Sequence, residues 1–210
     1  MIQFAIKLMR GINYVTHERF RLPQLDDHVD MGGGASSIDS YFTEMPDPSM
    51  NWDDIAQMVR EWDGRFCLKG IMRVEDAKRA AEIGCTGIVL SNHGGRQLDG
   101  SRTPFDQLTD IVDAVGDRIA VMMDSGIQRG TLVLKALSLG AKGVGLGRYC
   151  LRPLVAAGQA GIERALHLMR AEIERDMKLM SINSIDQLHR SNLRIRGEAG
   201  SWATNQKAAA

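Results

Sequence analysis

Apolar positions change rhythm along this chain. Over the first 60 residues they are scattered among turn formers, Gly32-Gly33-Gly34, Ser36-Ser37, Pro46 and Pro48. That punctuation predicts an excursion of loops and short helices over residues 1–60. The opening MIQFAIKLMRGI reads as a short amphipathic helix. In NWDDIAQMVREW, Ile55, Met58, Val59 and Trp62 fall on one helical face, with Asn51 or Asp53 as the cap.

From residue 61 an alternation sets in. Short apolar runs over Arg65–Gly70, Thr86–Ser91, Ile119–Asp124 and Lys142–Leu146 predict strands. Between them, helical patterns cover Val74–Ile83, Phe105–Val115 and Arg129–Leu139, and the first and last are followed by Gly84 and Gly140. Further helices are expected from about Leu151 and over Gly161–Met180, where Ile162, Leu166, Met169, Ile173 and Met177 form a packing stripe. Strand centres recur about every 21 to 32 residues, close to the ~30 of a (β/α)8 barrel unit. Apolar strands alternating with helices predict a parallel sheet with the helices outside.

Only four units are visible, and four parallel strands do not close a barrel. The expected fold is therefore α/β, the C-terminal half of a (β/α)8 barrel. Either the remaining strands lie upstream of Met1 or two half-barrels pair, and the first is favoured. The half-barrel with its last helix spans 61–182, and 183–210, which lose periodicity, read as a flexible tail.

Composition narrows the function. Lys and Arg total 26, as do Asp and Glu, so the formal net charge is zero. That balance argues against nucleic acid as a partner, since phosphate contacts need a basic excess. Cys67, Cys85 and Cys150 are widely spaced, without CxxC or Cys/His clustering. They read as buried reduced thiols in a cytoplasmic protein and argue against a metal site. No apolar run reaches the ~18 residues of a membrane span, and Lys7 and Arg10 interrupt the opening in a way a signal peptide would not.

Polar and glycine residues gather where the strands end, the active edge of parallel α/β folds. After the second strand comes Ser91-Asn92-His93-Gly94-Gly95-Arg96. His93 suits proton transfer near neutral pH, and the Arg96 fork suits a carboxylate. A polar turn with a structural histidine is the competing reading. The third strand runs into Asp124-Ser125-Gly126-Ile127-Gln128-Arg129-Gly130 and the fourth into Gly145-Leu146-Gly147-Arg148. Glycine turns opening helices on consecutive units favour a phosphate, with Arg148 as a bidentate contact. Ordinary strand–helix turns are the alternative. Lys69 closes the first strand, facing either an anion in the barrel mouth or solvent.

SNHGGRQLDG, preceded by LKGI and followed by DSGI and LGR, resembles the FMN-dependent α-hydroxy acid dehydrogenase/oxidase family, over about Asn51 to Met180. The resemblance implies FMN as cofactor and oxidation of a lactate-like L-2-hydroxy acid to the 2-oxo acid. It makes His93 the base that takes the substrate's proton and Arg96 the carboxylate ligand. Lys69 would stand by the flavin N1/O2 edge and Ser91 would contact the flavin. Asp124, Ser125, Gly126, Ile127 and Gln128, with Gly147 and Arg148, would hold the ribityl–phosphate segment. It also implies a small 2-hydroxy acid partner, a homo-oligomer, and peripheral contact with the inner membrane through about residues 1–50.

The departures are specific. Gln128 stands where the family has Arg, removing a charge-assisted contact worth about 1.5–3 kcal/mol, and adjacency alone leaves open whether Arg129 substitutes. Leu132 replaces an Asp, Tyr149 a Pro, and Ser125 a Gly usual in the oxidases. The family's first four strands, with their flavin contacts and the Asp partner of the histidine, have no counterpart here. The alternative function is a non-catalytic half-barrel that binds FMN weakly or not at all.

Overall fold

The computed structural model describes residues 47–196 and 202–203. The expectations for the opening helix and the triple glycine lie outside the described residues. The chain divides after Met50 into two units, and the second, Asn51–Ala210, holds all the described helices and strands.

Helix α1 (Trp52–Trp62) begins where the sequence provides a reciprocal cap. Asn51 Oδ1 accepts from the Asp53 N–H at 2.8 Å, while the Asp54 carboxylate accepts from the Asn51 N–H at 2.7 Å. Trp52 and Val59 pack on the core, and the Arg79 guanidinium lies 5.4 Å above the Trp52 ring.

Strands β1 (Cys67–Lys69), β2 (Gly87–Leu90), β3 (Ala120–Met123) and β4 (Gly143–Val144) form one parallel sheet in chain order. Leu68 pairs with Ile88, Ile88 with Val121, and Met123 with Val144. Between them run α2 (Val74–Glu82), α3 (Pro104–Val115) and α4 (Gly130–Ser138), and α5 (Gly147–Leu179) follows β4. The core lies between sheet and helices. Ile88, Leu90 and Met123 meet Leu108, Ile111 and Val115 of α3, all fully buried. Ala77 and Ala80 of α2 and Ala136 of α4 are buried in the same core.

Two helices hand over to strands alike. After α2, the Gly84 N–H donates to Ala81 O and the Cys85 N–H to Ala80 O; after α4, the Gly140 N–H donates to Leu137 O and the Ala141 N–H to Ala136 O. A left-handed glycine stops the helix and turns the chain into the next strand.

Some expectations are revised. The ladder at β4 holds two residues rather than Lys142–Leu146, because β3 is its one partner among the described residues. The last helices begin earlier, at Gly147, and are divided by non-helical geometry at Ala157 and Gly158. On the expected stripe Met169 is buried and Ile173 touches the core, but Leu166 is 44% exposed. Of the three free cysteines only Cys85 is buried; Cys67 is exposed because β1 is an edge strand. Residues 183–194, expected as tail, hold two 3-10 turns. Leu188 is buried, Leu193 packs on the core, and Arg190 pairs with Asp113 of α3 at 2.5 Å. Strands β5 (Ile195–Arg196) and β6 (Trp202–Ala203) pair antiparallel. Among the described residues no helix is long and apolar enough to cross a membrane.

Candidate functional site

Parallel strands all finish on one rim, so residues distant in sequence become neighbours there. A cavity of about 410 Å³ opens at this rim. His93, Arg96, Asp124, Ser125, Gly126, Ile127, Gln128, Gly147 and Arg148 line it. Ile127 is 3% exposed, so its side chain belongs to the core.

Lys69 and Ser91 are not among the lining residues but are joined to them. Lys69 Nζ donates to Ser91 Oγ at 2.9 Å and lies 3.2 Å from Asp124 Oδ2. Ser125 Oγ donates to Asp124 Oδ1 at 2.7 Å. Burial pushes the Asp124 carboxyl up, but hydrogen bonds from Ser91, Ser125 and Lys69, with the Lys69 charge, outweigh it and hold the group below the usual carboxylate value. Asp124 is therefore an anion at neutral pH, balanced by the ammonium beside it.

After β2 the chain makes a tight turn over His93–Gly95. Three consecutive residues have left-handed φ, 53° at His93, 70° at Gly94 and 75° at Gly95. Histidine tolerates that region better than most side chains, and the glycines adopt it freely. Asn92 Oδ1 accepts from the Gly94 N–H at 2.9 Å, and the His93 N–H donates to Ser91 Oγ at 3.2 Å. The turn holds His93 and Arg96 at the mouth, both exposed. Arg148 reaches across from α5 and donates to Gly94 O at 3.0 Å. Any Cβ at Gly94 would collide with that guanidinium, and one at Gly145 would come within 2.9 Å of the Asp124 Cβ. The glycines are sites of close approach.

Arg129, next to Gln128, turns away from the cavity. Its guanidinium binds Glu172 of α5, with Nε donating to Oε1 at 2.7 Å, and the Gly130 N–H donates to Glu172 Oε2 at 2.6 Å. The Arg129 and Gly130 hydrogen bonds hold the Glu172 carboxyl at about 2. The question that adjacency left open is answered by a residue 43 positions downstream.

Sequence reasoning missed Gly94, Gln97, Gly145, Leu146 and Tyr149 as lining residues. Gly94, Gly145 and Leu146 lie inside the motifs that drew attention, but they carry no chemistry of their own. Tyr149 was singled out only as a departure from the family's Pro; its Oη donates to Ala165 O at 2.7 Å, across the break in α5.

The family model for FMN-dependent dehydrogenases matches residues 2–195. The chain is 45% identical over 166 residues to an L-lactate dehydrogenase (cytochrome) of Saccharomyces cerevisiae, covering 77% of this chain and 28% of that protein. To an L-lactate dehydrogenase of a Caulobacter species it is 47% identical over 147 residues, covering 70% and 39%. Among solved structures it is similar to the monotopic membrane protein (S)-mandelate dehydrogenase, with TM-score 0.77, 33% identity and 85% of this chain matched to 47% of that one. A mutant flavocytochrome b2 with benzoylformate matches with TM-score 0.66 and 46% identity, over 68% of this chain and 38% of that one. The chain spans less than half the length of these relatives.

Proposed function

The chain belongs to the FMN-dependent dehydrogenase family, and from that premise we propose that it carries the substrate and phosphate end of an enzyme oxidising a lactate-like L-2-hydroxy acid to the 2-oxo acid. The observation that carries this reading is the rim cavity in which His93, Arg96 and Arg148 meet.

The residues present fit the cofactor. Gly126 and Gly147, where an added Cβ would meet open space, line the cavity with backbone, and Arg148 supplies a guanidinium. Bound FMN supplies the acceptor for the substrate's electron pair. Arg96 holds the substrate carboxylate through its planar fork. His93 accepts the proton that the substrate releases, and its place at the exposed mouth gives that proton a route to solvent. Lys69 is held at the end of β1 by its ion pair with Asp124 and its bond to Ser91, the place from which the family resemblance has it face the flavin. Peripheral membrane contact through residues 1–50 and a homo-oligomeric state belong to the same proposal.

A second reading is favoured by one observation. Gln128 is neutral and Arg129 is committed to Glu172, so Arg148 is the one guanidinium at the phosphate end among the described lining residues. On that reading the chain is a half-barrel that binds FMN weakly and turns nothing over. Titration of the purified chain with FMN, followed by anaerobic L-lactate, separates the two. Uptake of flavin and its bleaching by lactate support the enzyme, with His93→Gln slowing bleaching about 100- to 10,000-fold as expected for loss of a general base. Absent flavin uptake, or bleaching unchanged in His93→Gln, overturns it.

A further inference from the structure

Ser125 has a left-handed φ of 69°. A glycine would adopt that backbone without strain, so the backbone gives no reason for a side chain there. The hydroxyl gives one. It accepts from the Gly94 N–H at 3.1 Å and donates to Asp124 Oδ1 at 2.7 Å. Asp124 is paired with Lys69, Lys69 donates to Ser91 Oγ, and Ser91 Oγ accepts from the His93 N–H. The ends of β1, β2 and β3 are thus closed into one hydrogen-bonded ring. Two spokes run from the Lys69–Asp124 pair to the turn after β2, one through Ser91 to the His93 amide and one through Ser125 to the Gly94 amide.

We propose that Ser125 is a positioning residue whose hydroxyl latches the turn carrying His93 and Arg96 onto the Lys69–Asp124 pair. It thereby sets where the imidazole and guanidinium stand at the cavity mouth. The consequence for catalysis rests on the reading of that cavity as the substrate site; the latch does not. Polarity supports the latch. Asp124 has no proton to give at neutral pH, so the Ser125 proton points to it and leaves the lone pairs for Gly94. The other acceptor for the Gly94 amide, Asn92 Oδ1, lies within the same loop and ties the turn only to itself.

The test compares Ser125→Gly and Ser125→Ala with wild type in the full chain without ligand, by amide hydrogen exchange. The Gly95 amide is the reporter. It donates to Asn92 O at 3.0 Å, a bond neither substitution touches, so its exchange reads the opening of the whole turn. Loss of one latch bond is expected to speed Gly95 exchange about three- to tenfold in both variants. Ser125→Gly relieves the left-handed strain and Ser125→Ala retains it, so equal acceleration assigns the effect to the hydroxyl. Unchanged exchange in both variants, or acceleration in Ser125→Ala alone, overturns the latch. In flavin-loaded protein both variants are expected to raise KM for lactate and lower kcat together, because Arg96 and His93 ride on one turn. Wild-type protein that fails to take up FMN would sink the functional reading while the exchange result stood.

Discussion

Gly94 is where single atoms decide most. Its N–H is held by Asn92 and Ser125, its carbonyl by Arg148, and its missing Cβ is the space Arg148 occupies. Gly94→Ala therefore does two things at once. It places a side chain at a φ of 70°, at a cost of about 1–2 kcal/mol, and it displaces the guanidinium. Urea unfolding is expected to show that loss of stability, and flavin titration a Kd raised about tenfold or more by loss of the charge-assisted contact. At this scale the sequence brought His93, Arg96 and Arg148 to one rim, where all three line the cavity. The paired glycines after His93 signalled a close approach to the backbone, which Arg148 makes at Gly94, but the sequence was silent on what approaches and wherever the partner lies far along the chain. Nothing near Arg129 announces that Glu172 will claim it.

The elements show the same division at their ends. Strands and helices were legible because apolar periodicity and caps are local. Asn51 caps α1 and glycines stop α2 and α4, as the sequence indicated, whereas the Thr103 cap and Pro104 that open α3 one residue before the expected start emerge only in the structure. What periodicity could not supply was the fastening of one helix to another. Glu172 and Asp176 of α5 grip the start of α4 through Arg129, Gly130 and Thr131. A Cβ at Gly130 would lie 2.8 Å from the Ile173 amide, so the two helices touch at backbone level. This clamp makes a pH prediction. Folding lowers the Glu172 carboxyl from 4.5 to about 2, so its contribution is fully present above pH 4.5 and disappears as pH falls toward 2. Thermal melts between pH 6 and 2 should show Tm falling in that window. Glu172→Gln should lower Tm at pH 6 and flatten the acid limb.

For the whole molecule, alternation of apolar runs and helices was enough to foresee four parallel strands in chain order. Hydrophobic pattern specifies burial, and these strands are buried by helices. It does not specify how far a sheet must extend, so the outer edges of β1 and β4 had no signature beyond the count of units. Exposure of Cys67 follows from the edge position, which no spacing of cysteines could reveal. A property of the neutral chain also emerges only when the rim is assembled. Asp124 is neutralised by Lys69, while Arg96 and Arg148 face the cavity. Small anions are therefore drawn in by a local field that the net charge conceals. Stopped-flow association of FMN should slow as ionic strength rises from 10 to 150 mM, where the screening length shrinks from about 30 to about 8 Å. The dissociation rate should change far less. The Lys69–Asp124 pair thus acts on encounter, by neutralising the one carboxylate among the described lining residues, which would otherwise repel an arriving phosphate.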